Sequence, residues 1–201
     1  YYVLCPDCGT ITLSDDWHEA THCHECDHEF VPEDGQVTRG GYYNCPECGQ
    51  KESITDGIAE QGKPGQRLYA VEYYCEECDN QGLQKSSYKG YKQPDPDDKR
   101  LVEKAKQEWE TRTDLHEYVP KELIPGGHMT SERNPLSDHG FEEWTDMFND
   151  RQLLNLAKMM KAIDQIDGEE GDYLLLALSD SIMFYNLLTM YNLTANKIES
   201  A

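Results

Sequence analysis

The stretch from Cys5 to Cys26, CPDCGTITLSDDWHEATHCHEC, carries two Cys-x-x-Cys pairs within the first 26 residues of the chain. The same pattern returns as CPEC at 45–48 and as CEEC at 75–78, so all eight cysteines lie in four such pairs. Each pair can present two thiolates to one metal ion from a tight turn, and four thiolates at about 2.3 Å form a closed tetrahedral site. The spacing therefore predicts that metal ions organise the first half of the chain.

Taken in chain order, the four pairs predict two structural zinc ions. The first site would use Cys5, Cys8, Cys23 and Cys26, and the second would use Cys45, Cys48, Cys75 and Cys78. This arrangement is typical of zinc ribbons, in which two short hairpins each supply one pair. Both CPDCG and CPECG have proline inside the turn and glycine directly after it, where the chain must turn sharply.

Other roles for these cysteines fit the pattern less well. Disulfides need an oxidising compartment, and nothing in the chain indicates secretion. A thioredoxin-like redox centre uses one Cys-x-x-Cys within a βαβ unit rather than four in series. The predicted sites are closed, so they favour a structural role over a catalytic one. One ambiguity stays open, because His22, His24 and His28 lie beside the second pair and any of them could replace a cysteine as a ligand.

The predicted fold class is α+β, with two small zinc ribbons of short antiparallel hairpins followed by a mainly α-helical part. The expected segments are ribbon 1 at 1–36, ribbon 2 at 37–91, a charged helix and extended connector at 92–140, and a helical segment at 141–201. Strands are expected at 10–13, 30–31 and 66–74, where β-branched and aromatic residues alternate or cluster.

Helices are expected in the second half of the chain. The first covers 96–112, and a second begins after Asn149, which with Gln152 forms a capping box. A third helix, at 173–191, is apolar enough to be buried. The broad apolar faces of the last two helices need more packing partners than this chain supplies, so we expect 141–201 to be part of a larger domain.

The net charge of −21 arises from 39 acidic and 18 basic residues and is spread evenly along the chain. Even acidity favours a halophilic source over an acidic interaction tail, although an ordinary acidic protein is the alternative. Such charge repels nucleic acid at low salt. In about 1 M salt the Debye length is only about 3 Å, so acidity does not exclude nucleic-acid binding there.

No stretch approaches the roughly 18 apolar residues that a membrane span requires. The chain begins at Tyr1 without a charged and apolar leader. We therefore expect a fragment of a longer, cytoplasmic protein that has no membrane partner.

Five ordered motifs carry a resemblance to a known family. They are YVLCPDCGT at 2–10 followed by CHECDHEF at 23–30, RGGYYNCPECGQKESI at 39–54, RLYAVEYYCEEC at 67–78, GYKQPDPDD at 90–98 and HGFEEWTDMFNDRQLLNLAKMMKAI at 139–163. In this order they resemble the middle region of adenine-specific DNA methylases that carry a zinc-ribbon insertion, with a haloarchaeal source expected.

The resemblance implies that the parent protein is an S-adenosylmethionine-dependent DNA methyltransferase acting on adenine. In that family a Gly-rich cofactor motif lies upstream and an Asp-Pro-Pro-Tyr catalytic motif lies downstream. This chain contains neither a G-x-G nor a D-P-P-aromatic motif. The resemblance therefore implies no catalytic residues here. It also implies S-adenosylmethionine binding only in the parent, and as partners the remaining methyltransferase domain and, through the parent, DNA.

Within such a parent the ribbons could recognise the DNA target or brace the enzyme. Candidate DNA contacts are Arg39, Lys51, Lys63, Arg67, Lys85, Lys89 and Lys92, with Tyr42, Tyr43, Tyr88 and Tyr91 interleaved. The basic side chains could meet phosphates and the tyrosines could stack on extruded bases. In the alternative the tyrosines pack the small ribbon cores, the lysines are solvated, and the ribbons are a purely structural or stand-alone protein-interaction module.

Overall fold

The structure is a computed structural model of the whole chain. It describes residues 1–35, 37–38, 41–45, 48–82, 89–132, 135–192 and 197–199. The chain divides into two compact units, one formed by 1–95 with 138–140 and the other by 96–137 with 141–201. The finer segment boundaries expected at 36, 91 and 140 stay predictions.

The first unit is built from short antiparallel hairpins. Strands β1 (Tyr2–Leu4) and β2 (Ile11–Leu13) form the first hairpin, β3 (Thr21–His22) and β4 (Glu29–Phe30) the second, and β5 (Val37–Thr38), β6 (Tyr42–Asn44) and β7 (Lys51–Ser53) a three-stranded sheet. In the first hairpin Val3 lies opposite Thr12, so the two strand ends meet at the first Cys-x-x-Cys turn.

Two short helices and a further hairpin complete this unit. Helix α1 (Ile54–Gln61) follows β7 directly and begins where the Ser53 side chain accepts the backbone N–H of Asp56. Strand β8 (Val71–Tyr74) leads into the five-residue helix α2 (Glu76–Asn80). It pairs with β9 (Lys89–Lys92), so that Glu72 lies opposite Tyr91.

Few side chains are buried in the described part of the first unit. They are Cys5, Cys23, Thr12 and Ser14. Because two of the four are cysteines, the interior is centred on sulfur rather than on a cluster of aliphatic side chains. A unit this poor in buried apolar area needs another source of stability, which bound metal commonly provides in small domains.

The second unit is mainly helical. Its long helices are α3 (Pro96–Thr111), α4 (Asp150–Ile163) and α5 (Glu169–Ile182), and strands β10 (Met190–Asn192) and β11 (Lys197–Glu199) form a hairpin near its end. Helix α4 begins with the expected capping box, since the Asn149 side chain accepts the N–H of Gln152 at 2.9 Å and Gln152 accepts that of Asn149 at 2.9 Å. The mixed class of small hairpins followed by helices is confirmed.

The apolar core of the second unit lies between α3, α4 and the turn that follows α3. Leu115, Leu154 and Ala157 form its centre, and Ala105, Trp109, Tyr118 and Val119 pack around them. Leu115 belongs to a short 3-10 helix, Thr113–Tyr118, and is fully buried. This segment lies within the expected extended connector, yet it supplies a central residue of the core.

Helix α5 differs from the expected helix at 173–191 in both position and exposure. It begins earlier, after Gly168 at a φ of 89°, and its first turn is acidic, which favours a helix N-terminus. It ends at Ile182, where the Asn186 side chain donates to the carbonyls of Ile182 and Met183 at 3.3 and 3.1 Å and so satisfies two backbone acceptors at the helix end. The expectation that this helix is buried is wrong, since Tyr173 and Leu176 are 67% and 66% exposed. Within the described residues, the helices are all too short or too polar to cross a membrane.

An ion-pair network joins the turn after α3 to helix α4. The Arg112 guanidinium donates to Asp114 at 2.7 and 2.9 Å, and Lys161 of α4 donates to the same carboxylate at 2.6 Å. These two cations hold the pKa of Asp114 well below its usual range.

The stability of the second unit should therefore fall in acid. A carboxyl whose folded pKa is depressed stabilises the fold at pH values above its unfolded pKa of about 4. This contribution is lost as the pH falls from there through the lower, folded pKa. We expect Asp114→Asn to lower the urea midpoint at pH 7 and to have less effect at pH 3, measured by helical circular dichroism. Asp97→Asn, whose exposed pair with Arg100 is a weak surface interaction, is the control. If both variants lowered the urea midpoint equally at pH 7, the ion pairs of Asp114 would not stabilise the second unit more than a surface pair does.

Candidate metal centre

The first two Cys-x-x-Cys pairs converge on one point. The Sγ atoms of Cys5, Cys8, Cys23 and Cys26 all lie within 4.8 Å of one another. Cys5 Sγ is 3.7 Å from Cys26 Sγ, and Cys8 Sγ is 3.5 Å from Cys23 Sγ. Four sulfurs bound at about 2.3 Å to a tetrahedral ion would be separated by about 3.8 Å, so these spacings fit a metal ion at the centre.

Both turns reach this geometry through the same backbone pattern. In the first, Gly9 N donates to Cys5 O at 3.0 Å and Cys5 N donates to Thr10 O at 2.9 Å. In the second, Asp27 N donates to Cys23 O and Cys23 N to His28 O, both at 2.9 Å. Each turn thus projects two thiols to one side.

The turn pattern demands an unusual backbone conformation at the residue after the second cysteine. Gly9 has a φ of 68°, which glycine adopts without steric cost. The equivalent residue of the second turn is Asp27, with a φ of 58°. Aspartate and asparagine tolerate this left-handed region better than most side chains. CHECD therefore makes the same turn as CPDCG although it lacks the glycine.

Hydrogen bonds to the sulfurs favour their ionised, metal-binding form. The hydroxyl and the backbone N–H of Thr10 lower the pKa of Cys8. Burial acts to raise the pKa of Cys23, but N–H groups of Cys26 and Glu25 and the Thr12 hydroxyl outweigh it and bring the pKa to about 6. The turn itself therefore supplies donors that stabilise thiolates.

Four adjacent thiols cannot all ionise without a positive charge among them. At Cys26 the N–H of His28 favours the thiolate, but desolvation and the neighbouring thiols raise its pKa to about 12. A divalent cation at the centre removes this penalty, because a coordinating thiol loses its proton outright. The donor set therefore fits a cation with soft, sulfur-preferring chemistry.

Thr12 supports the centre from the adjacent strand. It is only 3% exposed, and its hydroxyl contacts Cys23 and lies 3.3 Å from His24 Nδ1. Buried hydroxyls beside metal ligands fix the orientation of the ligand and favour its charged form. The sequence interpretation did not single out Thr12; its position in a strand that follows Cys-x-x-Cys-Gly is the signal that could have found it.

The three histidines beside the second pair are turned to other partners. His22 lies 3.7 Å from an Asp27 oxygen and 3.9 Å from a Glu29 oxygen. His28 stacks on Phe30 with ring centroids 6.1 Å apart. The ligand group found among the described residues consists of the four cysteines alone.

The third and fourth pairs are not brought together in the same way. Cys45 repeats the turn of the first pair, since Gly49 N donates to Cys45 O and Cys45 N to Gln50 O, both at 2.8 Å. Cys75 instead caps helix α2, and its sulfur accepts the N–H of Cys78 at 3.4 Å while the two sulfurs lie 2.8 Å apart. Among the described residues, these four cysteines do not form a four-thiol group like that of the first two pairs. The second site stays a prediction.

Several of the candidate DNA-contact residues that the structure describes bind carboxylates of this chain. Lys89 pairs with Glu72 at 2.8 Å, and Tyr91 donates to the same carboxylate at 2.6 Å. Lys92 pairs with Asp95 at 2.6 Å. The structure brings the three side chains to one hairpin but neutralises both lysines with carboxylates.

The other candidates are more scattered. Lys51 lies over the Tyr42 ring, 4.7 Å from its centroid, and Arg67 donates to the backbone carbonyl of Gly9. Tyr43 donates to Glu52 at 2.6 Å, which raises its pKa to about 12. Lys63 lies directly after Gly62, the residue that ends helix α1. Arg39, Lys85 and Tyr88 lie outside the described residues.

Comparisons of the chain with protein-family models, with curated proteins and with solved structures found no match.

Proposed function

We propose that this chain is a structural zinc-binding module of a larger, S-adenosylmethionine-dependent DNA methyltransferase that acts on adenine. The observation that carries the metal part of the proposal is the group of four thiols within 4.8 Å of one another. The methyltransferase part rests on the five ordered motifs and their resemblance to that family.

Zinc is the metal that we propose for the first site. Tetrahedral sites of four sulfurs suit zinc and iron, and closed Cys₄ sites with knuckle turns are typical of structural zinc. Protein sulfurs fill all four positions, so a bound ion would have no open position for substrate or activated water. In the reducing cytoplasm that we propose for this protein, the thiols stay available for metal.

A second zinc ion would join the remaining two pairs. Cys45 and Cys48 already lie in a turn of the same type as the first pair. Cys75 directly follows β8, a strand of the β8–β9 hairpin, and Cys78 lies in α2. Metal binding and folding are coupled in small zinc domains, so the ion itself would supply the free energy that gathers the pairs.

Within the parent, we propose bracing rather than direct DNA contact. The carboxylates of Glu72 and Asp95 offset the charges of Lys89 and Lys92. DNA affinity depends on basic groups that can replace the counterions of the phosphates, and a lysine already paired with a carboxylate does this poorly. DNA target recognition is the competing role.

Metal analysis of the purified chain tests the zinc proposal. We expect two zinc ions per chain by mass spectrometry of the metal content, with all eight thiols protected from alkylation until a chelator is added. One zinc per chain would restrict the proposal to the first site. Stoichiometric iron, or no metal in a folded chain, would contradict it.

Titration of zinc-loaded chain into labelled duplex DNA tests the bracing role. We expect no saturable binding up to tens of micromolar protein, either at 50 mM or at 1 M salt. Binding that Lys89→Gln with Lys92→Gln weakens about tenfold, while Lys104→Gln with Lys106→Gln on helix α3 does not, would favour target recognition instead.

A further inference from the structure

Helix α5 and the turn after it expose an unusual amount of apolar surface. We define the α5 surface by its most prominent members: Tyr173, Leu174, Leu175, Leu176, Met183 and Tyr185. Their exposed fractions range from 44% for Leu174 and Leu175 to 67% for Tyr173. Single exposed apolar side chains are normal, but so many along one short segment are typical of an interaction site.

The distribution of these side chains around the helix strengthens this inference. Consecutive residues of a helix point about 100° apart, so the adjacent Leu174, Leu175 and Leu176 cover most of its circumference. Only Gly171 and Leu178 are buried among the residues of this helix. Exposed apolar side chains on adjacent sides of one helix present a wide surface that a partner element can cover. Helix α4 is different, because its Leu153, Leu154 and Ala157 are buried.

The charges around the α5 surface identify the kind of partner. The sequence from 162 to 196 contains no lysine or arginine. It contains six carboxylates, all exposed, at Asp164, Asp167, Glu169, Glu170, Asp172 and Asp180. The nearest cations before this segment, Lys158 and Lys161 of α4, are already paired with Glu108 and Asp114. An apolar surface that carries negative charges beside it is complementary to an apolar surface with positive charges beside it.

The negative charges beside the α5 surface also disfavour other classes of partner. A second copy of the chain would bring an equally acidic rim against this one, and like charges facing each other across an interface cost free energy. At low salt, nucleic acids and anionic lipids would be repelled in the same way. We propose that the α5 surface docks a protein segment that forms a cationic amphipathic helix, with leucine-like side chains on one face and lysine or arginine beside them.

This mode of binding has a defined energetic pattern. The apolar side chains would contribute most of the affinity, through burial against the leucine-like face of the partner helix. The carboxylates would speed association and select the charge of the partner, and this part would weaken as salt rises. The inference does not depend on zinc, and it holds whether the cationic segment belongs to the rest of the proposed parent protein or to a separate chain.

Calorimetric titration of the full zinc-loaded chain tests the proposal directly. The probe is an 18-residue helical peptide of leucine and lysine with all leucines on one face. The comparison peptides are a scrambled sequence of equal composition and an amphipathic leucine–glutamate peptide. We expect micromolar affinity for the first peptide and at least tenfold weaker binding of the other two.

Matched variants then locate the site. Leu175→Gln with Leu176→Gln should weaken binding about tenfold, whereas Leu101→Gln, on α3 and 57% exposed, should leave it unchanged. Asp172→Asn with Asp180→Asn should weaken binding at 50 mM salt and have little effect at 1 M. If the leucine variant loses helical circular dichroism, its weaker binding could reflect unfolding. The aspartate variant then tests the location of the site.

Three results would overturn the proposal. The first is equal binding of the scrambled and amphipathic lysine peptides, which would indicate attraction to net charge alone. The second is unchanged affinity in both the leucine and the aspartate variants. The third is a dimer in sedimentation experiments that dissociates with Leu175→Gln and Leu176→Gln, because a second copy would then be the occupant.

Discussion

Replacing Cys23 by serine should lower the zinc affinity of the first site by at least about a hundredfold. Cys23 is buried, and its sulfur lies 3.5 Å from that of Cys8 within the four-thiol group. Loss of a residue that only supports a metal ligand costs roughly 10- to 100-fold in affinity, so loss of a ligand should cost at least as much. Competition with a chromophoric chelator measures the change.

The same substitution should unfold the first two hairpins, because zinc binding and folding are coupled in small zinc domains. Amide spectra of residues 1–35 should collapse in Cys23→Ser, whereas the helical unit should keep its signals because its core is apolar. His22→Ser is the matched control on the same hairpin, since its side chain is 62% exposed and faces carboxylates. If His22→Ser lost as much metal as Cys23→Ser, the all-cysteine ligand set would be wrong.

Leu115→Ala should destabilise the helical unit by about 2–5 kcal/mol, the usual cost of removing a buried leucine side chain. Leu115 has no exposed surface and packs with Leu154 and Ala157 at the centre of the core. Three elements meet there, so the surrounding side chains cannot easily collapse into the cavity. Urea unfolding followed by circular dichroism at 222 nm gives the difference in the free energy of unfolding.

Leu101→Ala provides the comparison for this experiment. Leu101 lies on α3 of the same unit but is 57% exposed, so its loss should cost no more than about 0.5 kcal/mol. If the two variants had equal effects, the segment around Leu115 would be an extended connector, as its sequence suggested, and not part of the core.

Local sequence patterns predicted the elements that depend on neighbouring residues. The turn at Cys5 is set by hydrogen bonds that reach only to Gly9 and Thr10, and the start of α4 is set by Asn149 and Gln152. In both cases the atoms that determine the conformation lie within five positions of one another. The spacing of cysteines and the capping box are therefore readable without knowledge of the rest of the fold.

Other features depend on residues that are distant in the sequence. Thr12 reaches Cys23 only because two hairpins pack together, and Lys161 reaches Asp114 only because α4 packs on the turn after α3. The fourth cysteine pair also departs from the local pattern, since Cys75 caps a helix instead of repeating the turn at Cys45. Periodicity and spacing carry no information about such partners.

The sequence by itself therefore determined the turns at Cys5, Cys23 and Cys45, the helix start at Asn149 and the mixed class of hairpins and helices. Tertiary structure alone decided that Leu115 is buried, that the Glu72 carboxylate pairs with Lys89, and that α5 is exposed rather than covered. The physical reason is one of range. Backbone turns and caps are held by hydrogen bonds between near neighbours, whereas burial and charge pairing depend on which distant segments pack against each other.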